Sequence, residues 1–220
     1  GYNLMGGSLA FSPASGTQGT LNTDAGISAA IATTLVDGSG TSLLKVGGGT
    51  LTLSGVNTYS GGTTVAEGTL VAASNNALGA GAVTVDNTAG RNAILQINSG
   101  VTLANTVTLT HGGGLNNAGT LAGNLLMDTS SANRVQLQAG SQILGNLNLG
   151  GNVGSTLTLE AAGNAQQLHS QAVRGSTTLA GELVKIGTGT WVLDQDLTPA
   201  ATTIASGTLQ LGNGGTAGSL

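Results

Sequence analysis

The sequence predicts an all-β fold, a right-handed parallel β-helix that forms an elongated solenoid of roughly ten or more coils. Three observations predict it: short strands of alternating polarity, a tripeptide that recurs at the length of one coil, and an aliphatic composition. Hydrophobic residues make up 39% of the chain, whereas charged residues reach only 6% and aromatic residues 2%. Such a chain can bury a core, and that core must be narrow and lined by aliphatic side chains.

The composition also excludes several classes of partner and site. The chain has 220 residues and a formal net charge of −4, so it offers no basic stripe that would hold phosphates. We therefore expect no nucleic-acid partner. The chain contains no cysteine, which excludes disulfides and thiolate metal sites. Its apolar runs are too short to span a bilayer as a helix, which needs about 20 residues.

Short segments of the chain alternate apolar, polar and apolar residues. This period of two places the outer pair in a core and the middle residue toward solvent. Clusters of Gly and Asn separate the segments, including 111–114 and 150–152, and they suit tight turns. Such short strands can pair with equivalent strands of the coils above and below. The segments are Val83-Thr84-Val85, Leu95-Gln96-Ile97, Val101-Thr102-Leu103, Val107-Thr108-Leu109, Val135-Gln136-Leu137, Leu147-Asn148-Leu149 and Leu157-Thr158-Leu159.

The tripeptide Gly-Thr-Leu recurs near the length of one coil. Gly49 and Gly68 are 19 residues apart, and Gly189 and Gly207 are 18 residues apart. An antiparallel sandwich could use the same strands, but it gives no reason for this spacing. At roughly 20 residues per coil the chain would form about eleven coils. The tripeptide starts at Gly19, Gly49, Gly68, Gly119 and Gly207, and a variant starts at Gly189.

A longer unit occurs twice within what we expect to be one continuous β-helix over residues 1–220. Residues 44–53 align with 184–193, and residues 63–70 align with 202–209 after a one-residue deletion. The preceding segments share the same spacing. We therefore assign a first repeat to residues 27–70 and a second, divergent repeat to residues 173–209.

The first repeat resembles a known motif. Its sequence from Lys45 to Val65 is KVGGGTLTLSGVNTYSGGTTV, and Gly68-Thr69-Leu70 follows. This stretch closely resembles the passenger-associated transport repeat of autotransporter proteins. The resemblance implies a surface-exposed passenger that folds as a β-helix, with a repeat that aids export through the outer membrane. The second copy departs from the pattern at residues 194–201.

The resemblance also implies a location and a partner. A C-terminal outer-membrane barrel is expected in such proteins, so we expect the rest of the chain, barrel included, to be the main partner. The passenger would be secreted or displayed on the surface of a Gram-negative bacterium after crossing the periplasm and outer membrane. The first residues lack the charged and apolar regions of a signal peptide, and we expect the sequence to be a piece of a longer chain.

Residues able to carry chemistry are scattered along the sequence. His111 and His169 have no HxxxH or HExxH partner, and we interpret both as solvated loop residues. Asp194 and Asp196 could share a strand face for sugar hydrolysis or calcium binding, but an exposed turn is favoured. The remaining acids and the bases are Asp24, Asp37, Glu67, Asp86, Asp128, Glu160, Glu182, Lys45, Arg91, Arg134, Arg174 and Lys185.

Glycine-rich stretches and aromatic residues do not indicate a site either. Gly47-Gly48-Gly49 precedes a strand, so it lacks the helix terminus of a phosphate cradle. Asp37-Gly38-Ser39-Gly40 is one imperfect copy of a calcium-binding turn that needs many copies. Trp191 takes the place of Leu51 in the repeat, and we expect it to fill or cap the core. Tyr59 is expected to be structural too. We predict no catalytic, cofactor-binding or metal-ligating residue, and no cofactor.

Three functions remain open from the sequence. The leading hypothesis is a non-enzymatic stalk segment that supports export and surface display. The alternative is an adhesin whose exposed Thr, Asn and Gln side chains mediate self-association or bind a host glycan or protein. A polysaccharide-active β-helix enzyme ranks last, because the groups that it would need are scattered.

Overall fold

A computed structural model describes residues 2–4, 8–11, 18–37, 40–129, 131–148, 152–160, 166–168, 179–193, 197–212 and 220. Across these residues the regular structure consists of short strands, and no helix is present. The strands are β1 (Tyr2–Leu4), β2 (Ser8–Phe11), β3 (Gln18–Asn22), β4 (Ser28–Ile31), β5 (Thr34–Asp37), β6 (Ser42–Val46), β7 (Thr50–Leu53), β8 (Thr63–Val65), β9 (Thr69–Ala72), β10 (Val83–Asp86), β11 (Ile94–Ile97), β12 (Thr102–Leu103), β13 (Val107–Thr110), β14 (Gly114–Asn117), β15 (Thr120–Leu121), β16 (Leu125–Met127), β17 (Arg134–Leu137), β18 (Gln142–Ile143), β19 (Leu147–Asn148), β20 (Thr156–Glu160), β21 (Gln166–Leu168), β22 (Glu182–Ile186), β23 (Thr190–Leu193), β24 (Ala201–Ile204) and β25 (Thr208–Leu211).

The described strands pair in parallel with strands of neighbouring coils. The main sheet has ten strands in the order β1-β4-β7-β9-β11-β14-β17-β20-β22-β24, and the second sheet has seven in the order β19-β16-β13-β10-β8-β6-β3. The third sheet is β12-β15-β18, the end sheet is β21-β23-β25, and β2 pairs with β5. From β10 to β20 the chain visits the second, main and third sheets in turn. This winding encloses a core on three sides and confirms a parallel β-solenoid.

The solenoid has about eight turns, which is fewer than the ten or more that the sequence predicted. The reason is that the coil length is not uniform. Thr50 pairs with Thr69, but Thr69 pairs with Ile94, which lies 25 residues further on. Connections such as residues 73–82 make some coils longer than about 20 residues. The same length of chain therefore forms fewer coils.

The core includes the apolar residues that the period of two predicted. In each predicted segment the outer residues are buried and the middle residue is more exposed, with Leu149 lying outside the described residues. Equivalent residues stack in register, so that Val85 lies beside Leu109 and Leu109 beside Met127. Burial of each such side chain contributes about 1.5–3 kcal/mol. Gly114 differs from the prediction, because it begins strand β14 instead of completing the turn before it.

The Gly-Thr-Leu copies confirm the coil spacing where they are close in sequence. Thr50 pairs with Thr69 and Thr190 with Thr208, so these copies stack in adjacent coils. The distant copies lie elsewhere: Gly19 is in the second sheet, and the copy at Gly119 leads into the third sheet. The tripeptide therefore marks the entry into a strand on any side of the solenoid.

The two repeats build the same local unit on different sides of the solenoid. In the first repeat β6 belongs to the second sheet and β7 to the main sheet, whereas their equivalents β22 and β23 belong to the main and end sheets. The pairing within each unit is nevertheless the same, because the first strand pairs with the third and the second with the fourth. The repeat thus specifies a corner and its strands, independently of the side on which they lie.

Replacing Leu109 with Ala tests the stacked core. Leu109 is fully buried in β13, so we expect a loss of about 3 kcal/mol, measured as the free energy of unfolding in urea. The adjacent Thr108→Ala variant is the matched control, because Thr108 points outward, and it should lose less than about 0.5 kcal/mol. An equal loss in both variants would contradict the assigned faces.

Candidate functional site

A buried lysine closes the corner of the first repeat. Lys45 is fully buried in β6. Its ammonium donates to three main-chain carbonyl oxygens, those of Val46 at 2.9 Å, Gly47 at 2.6 Å and Glu67 at 3.0 Å. An ammonium has three donors and no acceptor, so these carbonyls satisfy it. Because Glu67 lies in the next coil, this lysine cage joins two adjacent corners.

The same lysine cage recurs in the second repeat. Lys185 is fully buried, and its ammonium donates to the carbonyl oxygens of Ile186 at 2.5 Å, Gly187 at 2.8 Å and Ser206 at 3.3 Å. Ser206 follows β24 in the same way that Glu67 follows β8. The two repeats therefore share one arrangement of a charged group and three carbonyls.

Two glycines of the first cage are required by the backbone. Gly47 has a φ of +78° and Gly68 a φ of +64°, which residues with a side chain rarely adopt. A Cβ atom at Gly68 would also collide with the carbonyl oxygens of Gly47 and Gly49 in the preceding coil. A side chain at Gly68 would push the two corners apart and open the cage.

The surroundings of the two lysines differ in charge. Burial lowers the pKa of Lys45 to about 8, and the negative charge of Glu67 works in the opposite direction. Glu67 also pairs with Arg91 at 3.2 Å. Burial likewise lowers the pKa of Lys185, where Ser206 takes the position of Glu67. The second cage therefore lacks the carboxylate that supports the first at this position.

Ionisable side chains of successive coils meet along one corner, between the second and main sheets. This charged corner comprises Glu67, Asp86, Arg91, His111 and Asp128. The Nδ1 atom of His111 lies 2.8 Å from a carboxylate oxygen of Asp86, and the main-chain N–H of His111 donates to Asp128 at 3.3 Å. Residues that are about 20 positions apart in sequence are thus neighbours, and they join one coil to the next.

Asp86 is held in its charged form. Burial works to raise the pKa of Asp86, but hydrogen bonds from Thr88 and the contact with His111 keep it below its usual value. The side chain of His111 is 51% exposed. His111 is therefore solvated, as predicted, but its pairing with Asp86 was not predicted from the sequence.

Asp37 joins two coils at another corner. Its carboxylate accepts hydrogen bonds from the main-chain N–H of Ser60 at 2.9 Å, the Ser60 hydroxyl at 3.0 Å and the N–H of Thr41 at 3.0 Å. The N–H of Ser60 contributes most to holding the pKa of Asp37 below its usual value. Ser60 lies in the next coil, so Asp37, which the sequence placed in one imperfect copy of a calcium-binding turn, serves here as a contact between coils. Gly38 and Ser39 lie outside the described residues.

A groove of about 410 Å³ lies beside the buried asparagine Asn57. The amide of Asn57 accepts from the N–H of Leu35 at 2.8 Å and donates to the carbonyl oxygen of Ala77. Asn105 donates to the carbonyl oxygen of Gly81 at 2.6 Å. These amides therefore connect coils. The asparagines that line the groove are Asn57, Asn75, Asn76 and Asn105.

Trp191 is buried in the core, as predicted, and Tyr59, which was expected to be structural, is buried there too. The hydroxyl of Tyr59 lies 2.6 Å from the hydroxyl of Thr63, and the hydroxyl of Thr63 also lies 3.3 Å from the carbonyl oxygen of Leu78. Burial raises the pKa of Tyr59, although Thr63 opposes this shift. The Nε1 atom of Trp191 has no hydrogen-bond partner among the described residues. Both rings serve as core filling.

Some of the ionisable residues that the sequence offered lie outside the described residues, namely His169, Arg174, Asp194 and Asp196. Within the described ranges no three His, Asp or Glu side chains are placed to hold a metal ion. The same part of the chain contains no helix long and apolar enough to cross a membrane. Gly47-Gly48-Gly49 leads from β6 into β7, which is the strand that the sequence predicted.

Sequence reasoning missed the role of the two lysines. It treated Lys45 and Lys185 as scattered bases, yet each closes a corner from inside. The signal that could have found them is their position, because the two residues align with each other in the two repeats.

Comparisons with known proteins agree with this arrangement. A family model described as a passenger-associated-transport-repeat matches residues 43–72 and 183–211, which include both lysine cages. The chain is also similar to the adhesin BmaC autotransporter of Brucella suis biovar 1 (strain 1330), with 34% identity over 187 residues. The match covers 81% of this chain and spans only 4% of the length of that relative. No solved structure matches the chain. Together these findings support an autotransporter passenger with such repeats, as the sequence predicted.

Replacing Lys45 with Met tests the lysine cage. The variant keeps an unbranched side chain that is one atom shorter, but it leaves three buried carbonyls without their donor, so we expect a loss of about 2 kcal/mol in the free energy of unfolding. Arg91→Gln removes the same charge from an exposed side chain and should cost less than about 1 kcal/mol. Equal unfolding midpoints for Lys45→Met and the unmodified chain would rule out a stabilising cage.

Acidification tests the charged corner. The pKa of Asp86 is lower in the fold than the usual aspartate value of 3.8, so the unfolded chain binds this proton first as the pH falls. The contribution of Asp86 to stability is therefore present above pH 3.8 and lost as the pH falls through the folded pKa. We expect the stability difference between the unmodified chain and Asp86→Asn to shrink as the pH falls from about 6 to about 3. Chemical denaturation at several pH values measures it, and a constant difference would contradict the assignment.

Proposed function

We propose that this chain is a β-solenoid stalk segment of an autotransporter passenger, in which the lysine cages support export and surface display. The observation that carries the proposal is the recurrence of one cage at the two places that the family model matches. A solenoid suits export because each new coil can pair with the coil already formed. With no cysteine in the chain, folding after export requires no disulfide.

The same proposal includes a location and a partner domain. Similarity to an adhesin autotransporter supports secretion and display at the bacterial surface. It also supports an outer-membrane barrel as a further domain of the full-length protein. We propose in addition that residues 1–220 form one continuous solenoid, with repeats at 27–70 and 173–209.

A non-enzymatic role fits the use of the charged groups. The comparisons suggest such a role. In the charged corner Arg91 pairs with Glu67 and His111 with Asp86, and Asp128 accepts from the main-chain N–H of His111, all between coils. Catalysis requires groups that converge on a substrate. In the charged corner the groups instead converge on each other, so we propose that the segment is not an enzyme.

Adhesion is the second candidate function. The relative is named an adhesin, and outward rows of Thr, Asn and Gln side chains along the main sheet suit many weak polar contacts. A stalk and an adhesive surface do not exclude each other, because the core and corners maintain the fold while the outward rows stay free for a ligand.

Surface display of the full-length protein tests the export role. We expect the double variant Lys45→Met with Lys185→Met to reduce the surface-exposed passenger several-fold, because weakened corners hinder the folding of emerging coils. Flow cytometry and protease treatment of intact cells measure the exposed fraction, and fractionation measures passenger retained in the periplasm.

The matched control is Arg91→Gln with Arg134→Gln, which removes two charges from exposed side chains and should leave display unchanged. Periplasmic accumulation of the lysine variant supports a role in export. A lysine variant that reaches the surface in full amount but is cleaved there faster would limit the cages to stability and contradict the export role.

A further inference from the structure

A notch in the outward face of the main sheet has the features of a ligand site. It has a volume of about 140 Å³ and lies where Gly114 follows Ile94 and precedes Arg134 in the same outward row. Gly114 has no side chain to fill the row, so Ile94 and Arg134 form the two walls. Asn116 and Thr158 also line the notch.

The backbone does not require glycine at position 114. A Cβ atom there would meet its nearest neighbour, Cγ1 of Ile94, at 3.4 Å, and other atoms lie at 3.8 Å or more. Gly47 and Gly68, by contrast, have positive φ values and main-chain atoms in the way. Glycine within a strand costs about 0.5–1 kcal/mol relative to alanine. Glycine therefore weakens the strand at this point, and its missing side chain leaves the notch unfilled.

Two polar side chains beside the notch, those of Arg134 and Asn116, are available to bind a ligand. Among the described residues Arg134 has no carboxylate partner, in contrast to Arg91, which pairs with Glu67. The amide of Asn116 likewise has no partner in the described part of the chain. A third polar side chain of the notch, Gln136, is already engaged, because its amide donates to the carboxylate of Glu160 at 2.7 Å. A guanidinium without an ion partner, next to an open notch, suits a carboxylate bound through two parallel hydrogen bonds.

The positions of the charged residues along this row indicate from which side an anionic ligand can reach Arg134. Arg134 pairs in register with Thr156, and Thr156 with Glu182. The glycine position of the notch lies on the side of Arg134 that faces away from Glu182, whereas Thr156 and Thr158 line the notch on the other side of Arg134. An anionic group that enters over Gly114 meets the guanidinium without approaching that carboxylate.

We propose that this notch binds a uronate residue of an acidic polysaccharide, with the carboxylate on Arg134 and the sugar ring against Ile94. The amide of Asn116 and the hydroxyl of Thr158 are placed to contact ring hydroxyls. Neighbouring strands are about 4.8 Å apart, which is close to the length of one sugar residue, so a chain along the solenoid would place successive residues over successive coils. This inference rests on the adhesin form of the proposed function and names its ligand class.

Binding of two polyuronates, hyaluronan and alginate oligosaccharides, to the 220-residue chain tests the proposal by calorimetry. We expect at least one of them to bind, more weakly at higher salt. We expect the carboxyl-reduced form of the same oligosaccharide to bind at least about tenfold more weakly, because it lacks the charge that Arg134 recognises.

Two variants test the notch directly. Arg134→Gln removes the guanidinium, and Gly114→Thr fills the notch with the residue type found in the same row at Thr69 and Thr156. Each should weaken binding at least about tenfold. Gly114→Thr should leave the unfolding midpoint unchanged or raise it, because threonine favours strands. A loss of binding with an intact fold therefore reports on the notch.

The matched control is Arg91→Gln, which removes an equal charge from the charged corner and should change binding less than about twofold. Equal losses in Arg91→Gln and Arg134→Gln, unchanged binding by Gly114→Thr, or no binding of either polyuronate would each overturn the proposal. These outcomes are separate from the proposed stalk function, because surface display and its response to the lysine variants are measured without any ligand.

Discussion

In-register parallel pairing between successive coils is the constraint on which the rest of the structure depends. Strands of two to five residues cannot bury an apolar face by themselves. They persist because each one pairs with its equivalents on both sides and places the same kind of side chain over the previous one. The corners must then hold adjacent coils in register, and several buried polar groups of the described residues act there.

The corners show how a core with few charges uses those that it has. Burying a lone ammonium is costly unless it is fully hydrogen-bonded. The lysine cage meets that condition with carbonyls that a tight turn would otherwise leave without donors. Asp37 and Asn57 do the same for main-chain N–H groups, since each accepts a hydrogen bond from the main chain of a neighbouring coil. Lys45, Lys185, Asp37 and Asn57 therefore each have a partner one coil away.

Sequence patterns predicted the core well, because burial follows the period of two in segments such as 83–85 and 107–109. The same rule fails at Lys45: it would place Leu44 and Val46 inside, whereas Leu43 and Lys45 are the buried residues. The charged corner was not predictable either, because Asp86 and His111 are 25 residues apart and the coil length varies. Position 114 looked like part of a glycine turn, and only its pairing in β14 shows that it opens a notch.

The displacement of the second repeat to another side of the solenoid has a consequence for how such chains diversify. The lysine, the carbonyl acceptors and the glycines that close a corner all lie within about 30 residues, as the lengths of the two family matches indicate. It can therefore be duplicated or recombined into a new position without matching changes elsewhere. Long chains can then grow by insertion of ready-made corners, while the outward faces between them remain free to vary.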